Sequence, residues 1–316
     1  MAPTPTLYQV IPGSGKNHLT LDEVWAQKGS GPLASGYSHI FPLVAGGNPY
    51  VIGVDDKGQG TAFKFQSKAP WLTATNAKIS LGACDIVEPF VIGNEPYVLA
   101  YVAAKPGKFS FFPIAADASS QIPFTYSRPH APGLTAGFTV TQPVVVNGSV
   151  FILCYSFATG DVNAYSLIVT STPQAGTPAG SPPLLANYVW VHQWARNWTH
   201  FAFFQFGGEN FFFKINVGPK PNTNIDHVLD DPSQGTIEVG TYLTLANAQK
   251  LDIVEAFYMG SGDPYFVTYQ KDGTTILNKF HGDCQGWEIE GSLKTIAGVS
   301  QIVPFRVGTS TYVLFY

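Results

Sequence analysis

The run Asp85-Ile86-Val87-Glu88-Pro89-Phe90-Val91-Ile92-Gly93-Asn94-Glu95-Pro96-Tyr97-Val98-Leu99-Ala100-Tyr101 decides how the chain is read. Two apolar stretches of strand length, rich in Val, Ile, Phe and Tyr, flank a Gly/Asn/Pro cluster that suits a tight turn, so the run predicts strand, turn, strand. The pattern occurs six times, anchored on Pro42, Pro89, Pro143, Phe203, Ala256 and Pro304. An aromatic opens the second strand eight residues after the anchor in five copies (Tyr50, Tyr97, Phe151, Phe211, Tyr312) and nine after it in the copy holding Tyr265. The anchors lie 47, 54, 60, 53 and 48 residues apart, a period that belongs to a propeller or another repeat array.

Each interval holds more than the hairpin. Phe109-Ser110-Phe111-Phe112-Pro113-Ile114 reads as a third strand and Ile122-Pro123-Phe124-Thr125-Tyr126 as a fourth. Four antiparallel strands per repeat is the make-up of a propeller blade. The last copy, residues 301–316, stops after two strands, and the N-terminus begins with two more, at 7–11 and 18–25. Together the ends complete one blade. The expected fold is therefore all-β: a six-bladed β-propeller of four antiparallel strands per blade, one domain over residues 1–316. Pairing of the N- and C-terminal strands would close the ring and remove the exposed edges of an open array.

Composition agrees. Charged residues are 12% of the 316, against about 25% in ordinary globular chains, and aromatics are 14%. So little charge leaves most strands apolar on both faces, as blades pressed between neighbours require. With a net charge of -4 and no basic cluster, neither nucleic acid nor an anionic membrane is an expected partner. No apolar run reaches membrane-spanning length, and the N-terminus lacks the charged-then-apolar pattern of a signal peptide. A soluble protein is expected, cytoplasmic or secreted without a leader. The cysteines, Cys84, Cys154 and Cys284, are odd in number and scattered, which argues for free thiols over disulfides or a zinc site. Asn147-Gly148-Ser149 and Asn197-Trp198-Thr199 are glycosylation tripeptides that would matter only after secretion.

Several loops invite a functional reading. Pro12-Gly13-Ser14-Gly15-Lys16-Asn17 has a phosphate loop's composition, but Val10 stands where its first Gly belongs and Asn17 where its hydroxyl belongs, so a hairpin loop is expected. Asp55-Asp56-Lys57-Gly58 lacks the alternation of a calcium loop and reads as a turn. Residues 170–183, rich in Pro, Gly, Ser and Thr, have no strand pattern. After them, residues 188–200 hold three of the six tryptophans, Trp190, Trp194 and Trp198, either an edge strand packed on its neighbour or a ligand-stacking wall. Gly218-Pro219-Lys220-Pro221-Asn222-Thr223-Asn224 reads as a second long loop, a place where repeat proteins put binding surface.

Four positions before each anchor the residue is Ser38, Asp85, Thr139, Thr199, Asp252 or Ser300. Short polar side chains bonding backbone where a strand begins would produce such a column. In the second and fifth repeats, Asp85-Ile86-Val87-Glu88 and Asp252-Ile253-Val254-Glu255 are near-identical, and three blades apart in a ring of six is diametrically opposite. If the first strand of each blade is innermost, these carboxylates approach the central channel from two sides. Asp and Glu three apart fall on opposite strand faces, and carboxylates in a charge-poor core need partners. Candidates are His39, His200 and Arg306. Two accounts stand: a buried hydrogen-bond network, or an acid/base or metal site.

The segment Trp198-Thr199-His200-Phe201-Ala202-Phe203-Phe204 with Gly207-Gly208 and Phe211-Phe212-Phe213, and the parallel Ser38-His39-Ile40-Phe41-Pro42, resemble the repeat of tandem propeller blades in secreted or leaderless bacterial and fungal proteins. In size, charge poverty and aromatic content the chain is similar to fungal propeller lectins. That resemblance implies a sugar-stacking aromatic with a polar partner in each blade. Here Trp25, Trp71 and Trp287 recur 13 or 14 residues before the polar column, and Tyr126 stands near that offset.

Two functions follow as expectations. One is a lectin-like propeller that binds a glycan or another small molecule, with Trp25, Trp71, Trp287, Trp190, Trp194 and Trp198 as ligand-binding residues. The other is an enzyme acting at the channel mouth through Asp85, Glu88, Asp252, Glu255, His39 and His200. No HExxH or GxSxG run supports the enzyme. No cofactor is evident, and a divalent cation is the one the carboxylates would suit.

Overall fold

A computed structural model describes residues 4–14, 18–28, 31–33, 36–104, 107–120, 124–126, 137–169, 184–231, 234–241, 243–245, 247–260 and 262–316. Its strands are β1 (Thr6–Pro12), β2 (Leu19–Ala26), β3 (His39–Ala45), β4 (Asn48–Val54), β5 (Gln59–Phe65), β6 (Leu72–Ser80), β7 (Ile86–Ile92), β8 (Glu95–Val102), β9 (Lys108–Pro113), β10 (Phe124–Tyr126), β11 (Val140–Val146) and β12 (Ser149–Tyr155). They continue as β13 (Asp161–Val169), β14 (Leu184–Gln193), β15 (His200–Phe206), β16 (Glu209–Asn216), β17 (Asn222–Val228), β18 (Thr236–Gly240), β19 (Ile253–Met259), β20 (Asp263–Tyr269), β21 (Thr274–Phe280), β22 (Trp287–Lys294), β23 (Ile302–Val307) and β24 (Ser310–Phe315).

These form six four-stranded sheets. Blades one to five are β3–β6, β7–β10, β11–β14, β15–β18 and β19–β22, and the sixth has the order β2-β1-β24-β23. All pairs are antiparallel, and Leu7 opposes Leu314 where the two ends of the chain meet. The shared terminal blade expected from the sequence is thus present. Blades one to three belong to one compact unit (Gly36–Arg196, Asp230–Gly235) and blades four to six to a second (Met1–Ser35, Asn197–Leu229, Thr236–Tyr316).

Second strands carry the core. In β8 every residue from Pro96 to Tyr101 is buried, because the strand presents apolar side chains on both faces and each face is covered. One cluster joins blades one and two through Phe41, Ile52, Val98 and Phe112, and a second joins blades two and three through Tyr97, Phe111, Ile152 and Tyr165. In the other unit, Phe213, Phe266 and Phe280 knit blade four to blade five, while Tyr269, Val313 and Phe315 knit five to six. Each fully buried large side chain contributes about 1.5–3 kcal/mol of transfer free energy. Five of the six hairpins between first and second strands have two-residue turns, and three residues separate β19 from β20; Asn147 and Gly148, at φ 50° and 76°, have the left-handed backbone that matches strand twist.

Tyrosines at the ends of second strands bond the backbone that leads onward. Tyr101 Oη accepts the Phe138 N–H (3.3 Å), Tyr155 Oη donates to the Ala195 carbonyl (3.0 Å), and Tyr269 Oη donates to Ile296 (3.1 Å) while accepting from Val299 N–H (3.2 Å). Two sequence expectations about loops resolve clearly. Asp55 Oδ1 accepts the Lys57 and Gln59 N–H groups at 2.9 and 2.8 Å, a plain side-chain-closed turn. The long loop expected over 218–224 is shorter, because Asn222, Thr223 and Asn224 already pair with β16 as the start of β17. Residues 15–17 of the hairpin loop and the segment 170–183 lie outside the described residues. No helix among the described residues is long and apolar enough to cross a membrane.

Candidate functional site

The polar column before the anchors makes local backbone bonds. The hydroxyls of Ser38, Thr139, Thr199 and Ser300 donate to the carbonyls of Val54, Tyr155, Ile215 and Tyr316 at 3.2, 3.2, 2.9 and 3.3 Å. Asp85 and Asp252 cannot donate when ionised and instead accept, from Ala103 N–H (2.7 Å) and Lys271 N–H (2.6 Å). In both chemistries the residue ties the start of a first strand to the end of the second.

The two histidines beside the column link adjacent blades. His39 Nε2 lies 3.4 Å from the Cys84 carbonyl, and His200 Nε2 lies 3.0 Å from the Asp252 carbonyl with Nδ1 2.9 Å from Thr199 Oγ1. Burial lowers the pKa of both rings, so each is held neutral near pH 7. Arg306 donates Nη2 to the Gly260 carbonyl at 2.7 Å. Glu88, half-buried in β7 and opposite Leu99, has its carboxyl pushed up to about 8 by desolvation. Glu255 occupies the matching place in β19, opposite Val267. Among the described residues, no group of three or more His, Cys, Asp or Glu side chains is placed to hold a metal ion.

Among the described side chains, four tryptophans meet other rings or a cation. Trp287 packs against Phe213 and Phe266, with centroids at 5.0 and 5.5 Å, and Trp71 lies 6.1 Å from Phe65. Trp194 is buried beside Tyr155 at 5.6 Å. Trp198, also buried, covers the Lys214 ammonium at 5.0 Å. Trp25 is half-buried across from Leu7, and Trp190 stands opposite Asn163 in β14 with its side chain outside the described residues.

Lys214 is the centre of a charge cluster that the sequence reading did not anticipate. Lys214 is 1% exposed, and its ammonium lies 2.7 Å from Asp226 Oδ2 and 3.2 Å from Glu238 Oε1, which also accepts from Asn224 Nδ2 at 2.7 Å. Burial raises the Asp226 carboxyl to about 6 against the opposing pull of Lys214. Strand pairing explains the arrangement: Asn224 faces Lys214 across β16–β17, and Asp226 faces Glu238 across β17–β18.

A cavity of about 480 Å³ opens beside this blade, within the unit of blades four to six. Pro221, Asn222 and Thr223 at the start of β17 form one wall; Leu243, Thr244, Leu245, Asn247, Ala248, Gln249 and Lys250 of the β18–β19 connector form the other. Its volume falls within the range of about 300–1,000 Å³ usual for small-molecule sites. The connector runs over residues 241–252, against 81–85 between β6 and β7, and the added chain is what encloses the space. It is zipped to β17: Leu243 N–H donates to the Thr223 carbonyl (3.0 Å), and the Thr223 hydroxyl donates back to the Leu243 carbonyl. Leu245 and Ala248 turn inward to the blade four–five core, so the floor is apolar and fixed. Asn247 sits at φ 59°, a left-handed conformation that Asn tolerates and most residues do not. Among the described residues, Asn222 Oδ1 is buried with no hydrogen-bond partner.

The cavity lies at the end of the blade where first strands begin, the end that carries the polar column. Of the stretches singled out in the sequence, only 218–224 contributes to it, through Pro221, Asn222 and Thr223. None of the residues expected to be catalytic or sugar-stacking lines it. The signal that could have found the other wall is the interruption of the repeat after Gly240, where a strand-poor run with Asn, Gln and Lys precedes Asp252.

Six four-stranded blades, one of them shared by the termini, define the class: a six-bladed β-propeller. Solved propellers match it over most of their length. The chain is similar to the periplasmic gluconolactonase of Pseudomonas aeruginosa (TM-score 0.54, 13% identity, 94% of this chain and 85% of that one). It is likewise similar to the SapL1 lectin in complex with α-methyl fucoside (TM-score 0.53, 10% identity, 88% of each chain) and to a thermostable family-43 glycoside hydrolase (TM-score 0.50, 9% identity, 84% and 96%). At these identities the likeness establishes the fold. No protein-family model matches the chain, and neither does any curated protein.

Proposed function

We propose that the protein binds carbohydrate, in the cavity between the start of β17 and the β18–β19 connector. The observation that carries this reading is the lining: three amides (Asn222, Asn247, Gln249) and two hydroxyls (Thr223, Thr244) over an apolar floor, with no carboxylate among them. Amides and hydroxyls both donate and accept, which suits a ligand dense in hydroxyl groups. The unmatched Asn222 Oδ1 awaits a donor, and a ligand hydroxyl supplies one. Among the described residues the lining holds no carboxylate pair of the kind that supplies acid and base in glycoside hydrolysis, which favours binding over cleavage. The fold is one that also serves SapL1, a lectin, in its complex with α-methyl fucoside. A glycan array followed by calorimetric titration tests the reading. Asn222→Ala should weaken binding of any hit by about three- to tenfold, the value of one hydrogen bond. An array without a hit, or equal affinity in the variant, would count against it.

A second reading, an enzyme acting on a small molecule, rests on Glu88. With its carboxyl pushed up to about 8, Glu88 keeps its proton at neutral pH, the state a general acid needs. Under this reading a substrate screen finds a turnover that Glu88→Gln abolishes while leaving the cavity's affinity unchanged. A turnover that survives Glu88→Gln excludes it.

A further inference from the structure

We infer that the ligand of this cavity is an anionic sugar, one bearing a carboxylate, sulfate or phosphate, whose charge is met by Lys250. The inference rests on the carbohydrate reading above and adds the chemical class. Among the described residues Lys250 is the single charged side chain of the lining, in a protein whose acidic residues, 21, outnumber its Lys and Arg, 17. A site drawn at random from such a surface would hold a carboxylate as readily as a cation; this one holds only the cation.

Lys250 is also uncommitted. Among the described residues Lys250 enters no ion pair, a state it shares with most of the lysines, whereas Lys214 is held by Asp226 and Glu238, Lys279 by Asp263 and Lys294 by Asp272. Its backbone is held in place: Lys250 N–H donates to the Asn247 carbonyl at 2.9 Å, closing the short 3-10 turn Ala248–Lys250. The same turn sets Asn247 and Gln249 beside it on the rim. Opposite stands Asn222, whose buried acceptor has no partner among the described residues. A ligand that satisfies both walls donates a hydroxyl to Asn222 and presents an anion to Lys250. Neutral sugars satisfy only the first.

The experiment titrates wild type and Lys250→Gln with glucose, glucuronate, glucose 6-sulfate and glucose 6-phosphate, each carried on the same oligosaccharide scaffold, at low and high salt. At least one anionic form should bind wild type about tenfold tighter than the glucose form at low salt, and high salt should shrink the gap. In Lys250→Gln the gap should close, the anionic forms losing their advantage over the glucose form. The three anionic arms identify which substituent is recognised. Equal binding of neutral and anionic forms by wild type, or a preference that survives Lys250→Gln, overturns the inference and leaves the carbohydrate reading standing. Failure of every form, the neutral one included, overturns both.

Discussion

Thr223 and Leu243 exchange two hydrogen bonds: the Leu243 N–H reaches the Thr223 carbonyl at 3.0 Å, and the Thr223 hydroxyl returns to the Leu243 carbonyl. This pair closes the β18–β19 connector onto β17 and gives the cavity its second wall. Thr223→Val preserves the shape and the backbone bond but removes the hydroxyl. It should cost about 1 kcal/mol of stability, read from urea unfolding, and weaken glycan binding further than that loss of hydroxyl contact would. A variant as stable as wild type with undiminished binding would show that the zipper is dispensable.

Asn247 offers a separation of stability from function. At φ 59° the backbone favours glycine, so Asn247→Gly should leave the melting temperature unchanged or slightly raised while removing a lining amide and weakening ligand binding. A fall in both together would mean that the side chain holds the connector.

Lys214 should be costly to lose. Lys214→Met leaves Asp226 buried without its partner, and denaturant unfolding should register a loss of about 3–5 kcal/mol. Glu238 is less affected, since its side chain is 44% exposed and can solvate. Converting Asp226 to Leu as well removes the stranded charge, and the double variant should recover most of the deficit. A double variant no better than the single one contradicts the assignment of the cost to unpaired burial.

Glu88 makes stability depend on pH in a stated direction. Its folded pKa of about 8 lies above the ordinary glutamate value of about 4.3, so between those values the folded state holds a proton that the unfolded chain releases. The stabilisation is complete below about pH 4 and declines as pH rises towards 8, by an amount on the order of a few kcal/mol. Glu88→Gln should flatten that slope, measured as melting temperature against pH. An unchanged slope would place the titration on another group.

The blades were legible because their signal is repeated: an anchor, a glycine turn and an aromatic eight residues on in five copies and nine in the other report the strand pairs seen from β3–β4 to β23–β24. The polar column was legible for the same reason, and Ser38, Asp85 and their counterparts bond backbone as short polar side chains at strand starts do. Periodicity says less about side-chain use. Trp287 stands at the offset expected of a sugar-stacking ring, yet it packs on Phe213 and Phe266, because an aromatic at a repeated position is as useful to a core as to a ligand. The cavity was hidden for the opposite reason. Its walls come from the part of blade four that departs from the repeat, and its residues are neutral amides and threonines, which carry no motif. Lys214, Asp226 and Glu238 are 12 residues apart at each step, a spacing that becomes a contact only through the register of three adjacent strands.

The central claim, that ligand binds between β17 and the connector, is tested most directly by backbone hydrogen exchange with and without a glycan identified on the array. Binding should slow exchange at residues 222–224 and 243–250 and leave the segments around Trp25 and Trp71 unchanged. Protection around Trp25 and Trp71, with none at 243–250, would contradict it.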